Sequence, residues 1–195
     1  MGGLVTVTGP TAEPILLDEA KDHCNVTRTD DQSNNYLLDL IAVAREHVEQ
    51  VTARALLTQT LRLDLDDFPM CDVIELERPP IASVTHLKYY DADNVLQTLS
   101  SSDYVLDASK TVPRIVLAHN ASWPTAYERP NAVQVTFVAG YGAHGGLVPA
   151  PLRHAMKMLI GHWHENREPV VVGMTANDVP LTVQRLLQPY RVAMV

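Results

Sequence analysis

Apolar positions along the chain change their period twice, and the changes divide it into three zones. In the first, "LLDEAKDHCNV" reads as a short helix with Asp18 as its N-cap. A polar link, "TRTDDQSN", separates it from a longer helix over about residues 34–52. There Leu37, Leu40, Ile41, Ala44, Val48 and Val51 recur at i, i+3, i+4 and i+7, a single apolar stripe. Asp39, Glu46, Glu49 and Gln50 fall off that stripe and are expected on the solvent side.

The second zone has period two. In "TLRLDLDD", Leu61, Leu63 and Leu65 alternate with Arg62, Asp64 and Asp66, as in a half-buried strand. "VIELE", "SVTHLKYY", "VLQTL", "DYVLD", "RIVLA" and "AVQVTFV" follow, with turn chemistry such as "DADN" between them. No helical pattern separates these strands, so an antiparallel sheet or small sandwich is expected rather than βαβ units. The third zone returns to helical spacing. "PAPLRHAMKMLIGHWHEN" carries Leu152, Ala155, Met156, Leu159 and Trp163 on one stripe with Ile160 at its edge, and Pro149 or Pro151 suits its first turn. After "REPVVVGMTANDVP", the stretch "LTVQRLLQ" reads as a short terminal helix ended by Pro189. Helices, then strands, then helices predict the α+β class.

Length and composition narrow the picture further. A chain of 195 residues is most simply one domain, 46% of it apolar and 19% charged, as in ordinary globular proteins. No apolar run reaches the roughly 18 residues of a membrane span. The start, "MGGLVTVTGPTAEP", lacks the basic and apolar regions of a secretory signal, and none is expected. Cys24 and Cys71 have no CxxC spacing and read as reduced thiols of an intracellular protein. The net charge of −8 is unevenly spread. Residues 1–107 hold 19 acidic and 7 basic side chains, a net of −12, whereas residues 108–195 hold 4 and 8, a net of +4. That is no footprint for gripping nucleic acid.

Four patterns raise the question of chemistry. Gly140, Gly142 and Gly145 spell G-x-G-x-x-G after an alternating apolar run, the spelling that cradles a dinucleotide pyrophosphate. The fingerprint needs a parallel strand, an immediate helix and an acid about 20 positions on. Here the strand closes an antiparallel series, "GLVPAP" delays the helix, and Glu165 lies in a helical pattern, so a connecting loop is expected instead. "HWHENRE" suggests a metal, but His162 and His164 stand about 200° apart on a helix. His162 and Glu165 share a face, yet two ligands fall short of zinc's three or four, and His154 is more than two turns away. His23 beside Cys24 is mere sequence adjacency, and no G-x-S-x-G occurs. The pairs Asp64/Asp66 and Glu75/Glu77 each share a strand face, read as a solvated face before a cation or acid–base site. No catalytic residue, cofactor or metal is expected.

In order, these phrases resemble the head–tail connector (adaptor, or head-completion) proteins of long-tailed phages and prophages. The likeness runs from about Leu16 to Val192 and is carried by "LLDEAKDHCNV", "LIAVAREHVEQVTARALLTQTLRLDLDDFP", "IELERPPIASVTHLKYYDADN", "RPNAVQVTFVAGYG", "VPAPLRHAMKMLIGHWHENRE" and "VPLTVQRLLQPYR". Each phrase is loose alone; their sequence is specific together. The resemblance implies a helical core of two long helices plus short N- and C-terminal helices, with an antiparallel β insertion between the long ones. In one connector domain, residues 16–54 would be helical, 56–139 the β insertion and 149–190 helical.

It further implies a structural virion protein with no catalytic residues, assembled in the host cytoplasm. Such proteins form a homo-oligomeric ring, commonly twelvefold, under the portal protein and above a head-closure or tail protein. The ring extends the channel through which genomic DNA passes without sequence-specific binding; no membrane is involved. An acidic wall suits passage, because basic walls would hold phosphates through counterion release. C-terminal segments of these adaptors commonly engage the portal. Here Val183, Leu186, Leu187 and Tyr190 form an apolar strip flanked by Arg185 and Arg191 on a short helix, suited either to ordering on that partner or to packing on its own core. Two rival readings stand beside this one: another virion ring component, such as a head-closure or tail-completion protein, and a nucleotide-dependent enzyme using the Gly140–Gly145 loop.

Overall fold

The computed structural model describes residues 2–27, 31–166 and 181–192 and is of the α+β class, with every strand pair antiparallel. The chain divides into two compact units. Among the described residues, the β unit takes residues 2–10 and Thr58–Tyr141, and the helical unit takes residues 11–27, 31–57, 142–166 and 181–192.

Among the described residues the β unit contains eight strands. They are β1 (Gly3–Thr8), β2 (Gln59–Leu65), β3 (Val73–Glu75), β4 (Ile81–Tyr90), β5 (Leu96–Leu99), β6 (Tyr104–Asp107), β7 (Arg114–Leu117) and β8 (Val133–Ala139). One sheet runs β1-β2-β8-β4-β5 and a smaller one β3-β7-β6. The middle strand of the larger sheet, β8, is also the most apolar. Val133, Val135, Phe137 and Ala139 are fully buried, and Thr136 is buried on the other face. Burial on both faces explains a near-continuous apolar run in place of strict alternation. Leu61 and Leu63 of β2 pair with Phe137 and Val135 and are buried with them, whereas Leu65 is only half-buried.

Two features of the β unit depart from the sequence expectation. Strand β1 was not anticipated: all but one of its residues, Leu4, are exposed, so "GLVTVT" carries no buried-face alternation to read. Asp64 is buried, because Arg62 on the same strand face donates from Nε and Nη2 to its two carboxylate oxygens at 2.7 and 2.9 Å. A carboxylate so paired tolerates burial. Asp66 does face solvent, where it accepts the Asn131 N–H at 2.9 Å.

The helical unit contains α1 (Leu17–His23), α2 (Asp31–Thr52), α3 (Ala150–Glu165) and α4 (Leu181–Leu187). Helix α2 packs on α3, and both α1 and α4 touch these two. Leu37, Ile41, Ala44 and Val48 of α2 are fully buried, as are Leu152, Ala155, Met156 and Leu159 of α3. Leu40 and Val51, at the stripe's margins, are half-buried. Ile160, expected at the edge, is fully buried, and Trp163, expected in the core, is half-buried with its ring edge-on to His47 at 6.0 Å. Asp18 is not the N-cap of α1. Leu16 holds that position without a side-chain hydrogen bond, and Asp18 and Glu19 occupy the first turn, where negative charge favours the helix dipole.

Glu49 departs from its expected solvent position for a local reason. Its Oε1 accepts the N–H of Leu56, a buried residue, at 2.8 Å, and its Oε2 accepts from Arg45 Nη1 at 3.2 Å. Arg45 also donates to Glu13 at 2.9 Å. Burial works to lower the pKa of Arg45, but the ion pairs with Glu13, Glu49 and Glu46 hold it above its ordinary value. This network ties the chain after α2 back onto the helix.

Candidate functional site

The glycine loop is built as a connection. Its preceding strand, β8, runs antiparallel to both β2 and β4, which removes the parallel βαβ setting of a dinucleotide site. Gly140 has φ 119° and its N–H donates to the Pro80 carbonyl at 2.8 Å. Gly142 has φ 155°, and a Cβ there would strike the Leu147 side chain. A Cβ on Gly145 would strike the carbonyl oxygen of Pro14. These glycines serve backbone geometry and close packing. A single 3-10 turn, Gly145–Leu147, and Pro149 then lead into α3.

His162 and His164 both border one cleft at the C-terminal end of α3, shared with His23, Cys24, Met158 and Glu165. Two residues apart on the helix, they stand about 200° apart around its axis, and the His164 ring lies 6.1 Å from that of Tyr36. His154 is exposed and outside the cleft. Among the described residues no group of three or more His, Cys, Asp or Glu side chains is placed to hold a metal ion. Burial and the neighbouring Glu165 carboxylate raise the pKa of the Cys24 thiol, which works against thiolate formation. The cleft is a shaped, polar-rimmed depression without an assembled nucleophile–base pair.

Several acids of the first half are taken up by cations. Glu19 meets Arg153 and Lys157 at 2.7 Å, and Asp107 meets Arg114 at 3.1 Å. The hydrogen bond from Lys157 lowers the pKa of Glu19, reinforced by the charge of Arg153 and opposed by partial burial. The exposed acids of the β unit include Asp66, Asp67, Asp72, Glu75 and Asp93.

The C-terminal strip is split by the structure into an inner and an outer face. Val183 and Leu187 are buried in their own helical unit, on the α4 face turned to α3 and α2. Leu186 and Tyr190 are half-buried, and Arg185 and Arg191 are exposed. Arg54 Nε donates to the Tyr190 carbonyl at 2.6 Å, and the Val192 N–H donates to the Thr52 carbonyl at 3.0 Å, pinning the segment to the end of α2. Leu181, which the sequence reading did not single out, is 70% exposed and adds an apolar position to the outer face. The available surface is therefore Leu181, Arg185 and Arg191 with parts of Leu186 and Tyr190.

Comparison with known proteins places this geometry in context. No protein-family model matches the chain, and no curated protein matches it. Solved structures do. A chain from the virion of a native gene transfer agent particle is 25% identical with a TM-score of 0.80, over 98% of this chain and 96% of that one. A chain from the neck of the empty particle, computed with C6 symmetry, is 26% identical with a TM-score of 0.82, over 99% and 97%. A third, from the neck of the native particle computed with C12 symmetry, is 29% identical with a TM-score of 0.72, over 100% and 97%. These neighbours bear out the resemblance to head–tail connector proteins: along nearly its whole length, this chain shares its fold with chains of a virion and its neck.

Proposed function

We propose that this chain is a structural component of a virion neck, acting as a ring-forming head–tail adaptor. The observation that carries the reading is full-length similarity, at 25–29% identity, to chains of virion and neck structures, two of them computed with sixfold and twelvefold symmetry. In this reading identical copies surround an axial channel, twelvefold when assembled, beneath a portal protein and above a head-closure or tail protein. The long helices α2 and α3 form the core of each copy, and the strands between them are an insertion that β1 completes. The outer face of α4, with Leu181, Arg185, Leu186, Tyr190 and Arg191, docks on the portal. Val183 and Leu187 hold that helix to its own unit from behind.

The electrostatics suit a passage for DNA. Residues 58–141 carry 11 acidic and 6 basic side chains, so a channel wall drawn from them repels phosphates instead of retaining them. The rival enzyme reading draws no support from the glycine loop, which has connecting geometry, or from Cys24, whose thiol pKa burial raises. The test is imaging of the full-length protein alone and mixed with its cognate portal. Rings that attach to the portal are expected. A protein that binds no portal, or that assembles only with tail components, would favour a head-closure or tail-completion role.

A further inference from the structure

We propose that the loop following β2 is a knob that seats in the α1–α3 cleft of a neighbouring copy of this chain. The contact rests on the ring reading above and names how copies join within it. The knob is Met70, whose relative exposure of 109% means that its own loop shelters none of it. The loop beneath it is nevertheless well anchored. Phe68 is buried and stacks on Trp123, with ring centroids 5.0 Å apart and planes 13° from parallel. Tyr89 meets Phe68 edge-on at 5.7 Å, and the Trp123 indole N–H donates to the Cys71 carbonyl at 3.1 Å. Because the loop is already braced, docking orders the Met70 side chain but little backbone, which lowers the entropic cost of the contact.

The socket has matching properties. The cleft of about 320 Å³ has room for one long apolar side chain, and Met158 and Gly161 contribute lining without polar side-chain atoms. His23, His162 and His164 border it, and imidazole N–H groups donate to carboxylates. The knob is flanked by exposed Asp66, Asp67 and Asp72, which only accept. Glu165, also on the rim, disfavours these acids on its own side of the cleft. A second copy is the occupant because a closed ring of identical chains needs two different, complementary patches on each subunit. Knob and socket lie in different units of this chain and supply such a pair.

The chain carries its own reporters: Cys24 lines the socket and Cys71 adjoins the knob. Isotopically heavy and light full-length chains are mixed at high concentration and treated with a short bis-maleimide. Cross-linked peptides are then identified by mass spectrometry. Heavy–light bridges between Cys24 and Cys71 are expected, reduced at least about ten-fold by Met70→Asp and retained in Met70→Leu. Absence of such bridges up to millimolar protein, bridges confined to single chains, or only Cys71–Cys71 bridges would overturn the contact. Rings seen on the portal without Cys24–Cys71 bridging would overturn it while leaving the neck role standing.

Discussion

Removing the Glu49 carboxylate tests whether the network after α2 holds the helical unit together. In Glu49→Ala the N–H of Leu56, in a fully buried residue, loses its acceptor, at a cost of about 1–3 kcal/mol. Arg45 loses one partner but keeps Glu13 at 2.9 Å, so the penalty of about 3–5 kcal/mol for stranding a buried charge is only partly incurred. Together these give a loss of about 2–4 kcal/mol. Glu49→Gln keeps an amide oxygen for the Leu56 N–H and loses only the charge, so about 1–2 kcal/mol is expected. The assay is urea unfolding followed by tryptophan fluorescence. The two tryptophans fall in different units, so a Trp123→Phe background leaves Trp163 to report on the helical one. A Glu49→Ala loss below about 1 kcal/mol, or equal losses for Ala and Gln, would refute the argument, because the buried acceptor would then carry no weight.

Four further outcomes follow from the same structure. Leu159→Ala, at a fully buried position of α3, should cost about 2–5 kcal/mol in the same unfolding assay. Deleting residues 181–195 should destabilise the helical unit by about 3–5 kcal/mol, since Val183 and Leu187 leave its core; an unchanged midpoint would mean that α4 is only loosely attached. The folded-state pKa of Glu19 lies below its ordinary 4.5, so its stabilisation is present above that value and is lost as pH falls through the lowered one; acid titration of Glu19→Gln should lack this share of the loss. Cys24, half-buried with a raised pKa, should alkylate more slowly than exposed Cys71 at neutral pH, and Glu165→Gln should speed it, both read by mass spectrometry.

Where burial follows period, the sequence was legible. The α2 and α3 stripes stand out because four apolar positions in α2 and five in α3 are completely buried on one side of a long helix. Strands β2–β8 were legible from alternation and turn residues. Strand β1 was not, because an edge strand of exposed residues leaves no one-sided pattern. Glu49 and Asp64 were misplaced for a shared reason: a hydrophobicity pattern assigns charges to solvent, whereas a specific cation or buried N–H can draw a carboxylate inward. The splitting of the C-terminal strip was half visible. Val183 and Leu187, four apart, share one helix face, but which face met the protein's own core depended on α3. Met70 was invisible as a candidate, since a lone apolar residue in a loop matters only when the structure reveals its exposure and bracing.

The most direct test of the neck role is negative-stain electron microscopy of the full-length protein with and without its cognate portal. The account predicts rings with an open axial channel stacked on the portal, twelvefold in class averages of the complex. Portal particles that remain bare at saturating protein, with the protein itself staying monomeric, would contradict it.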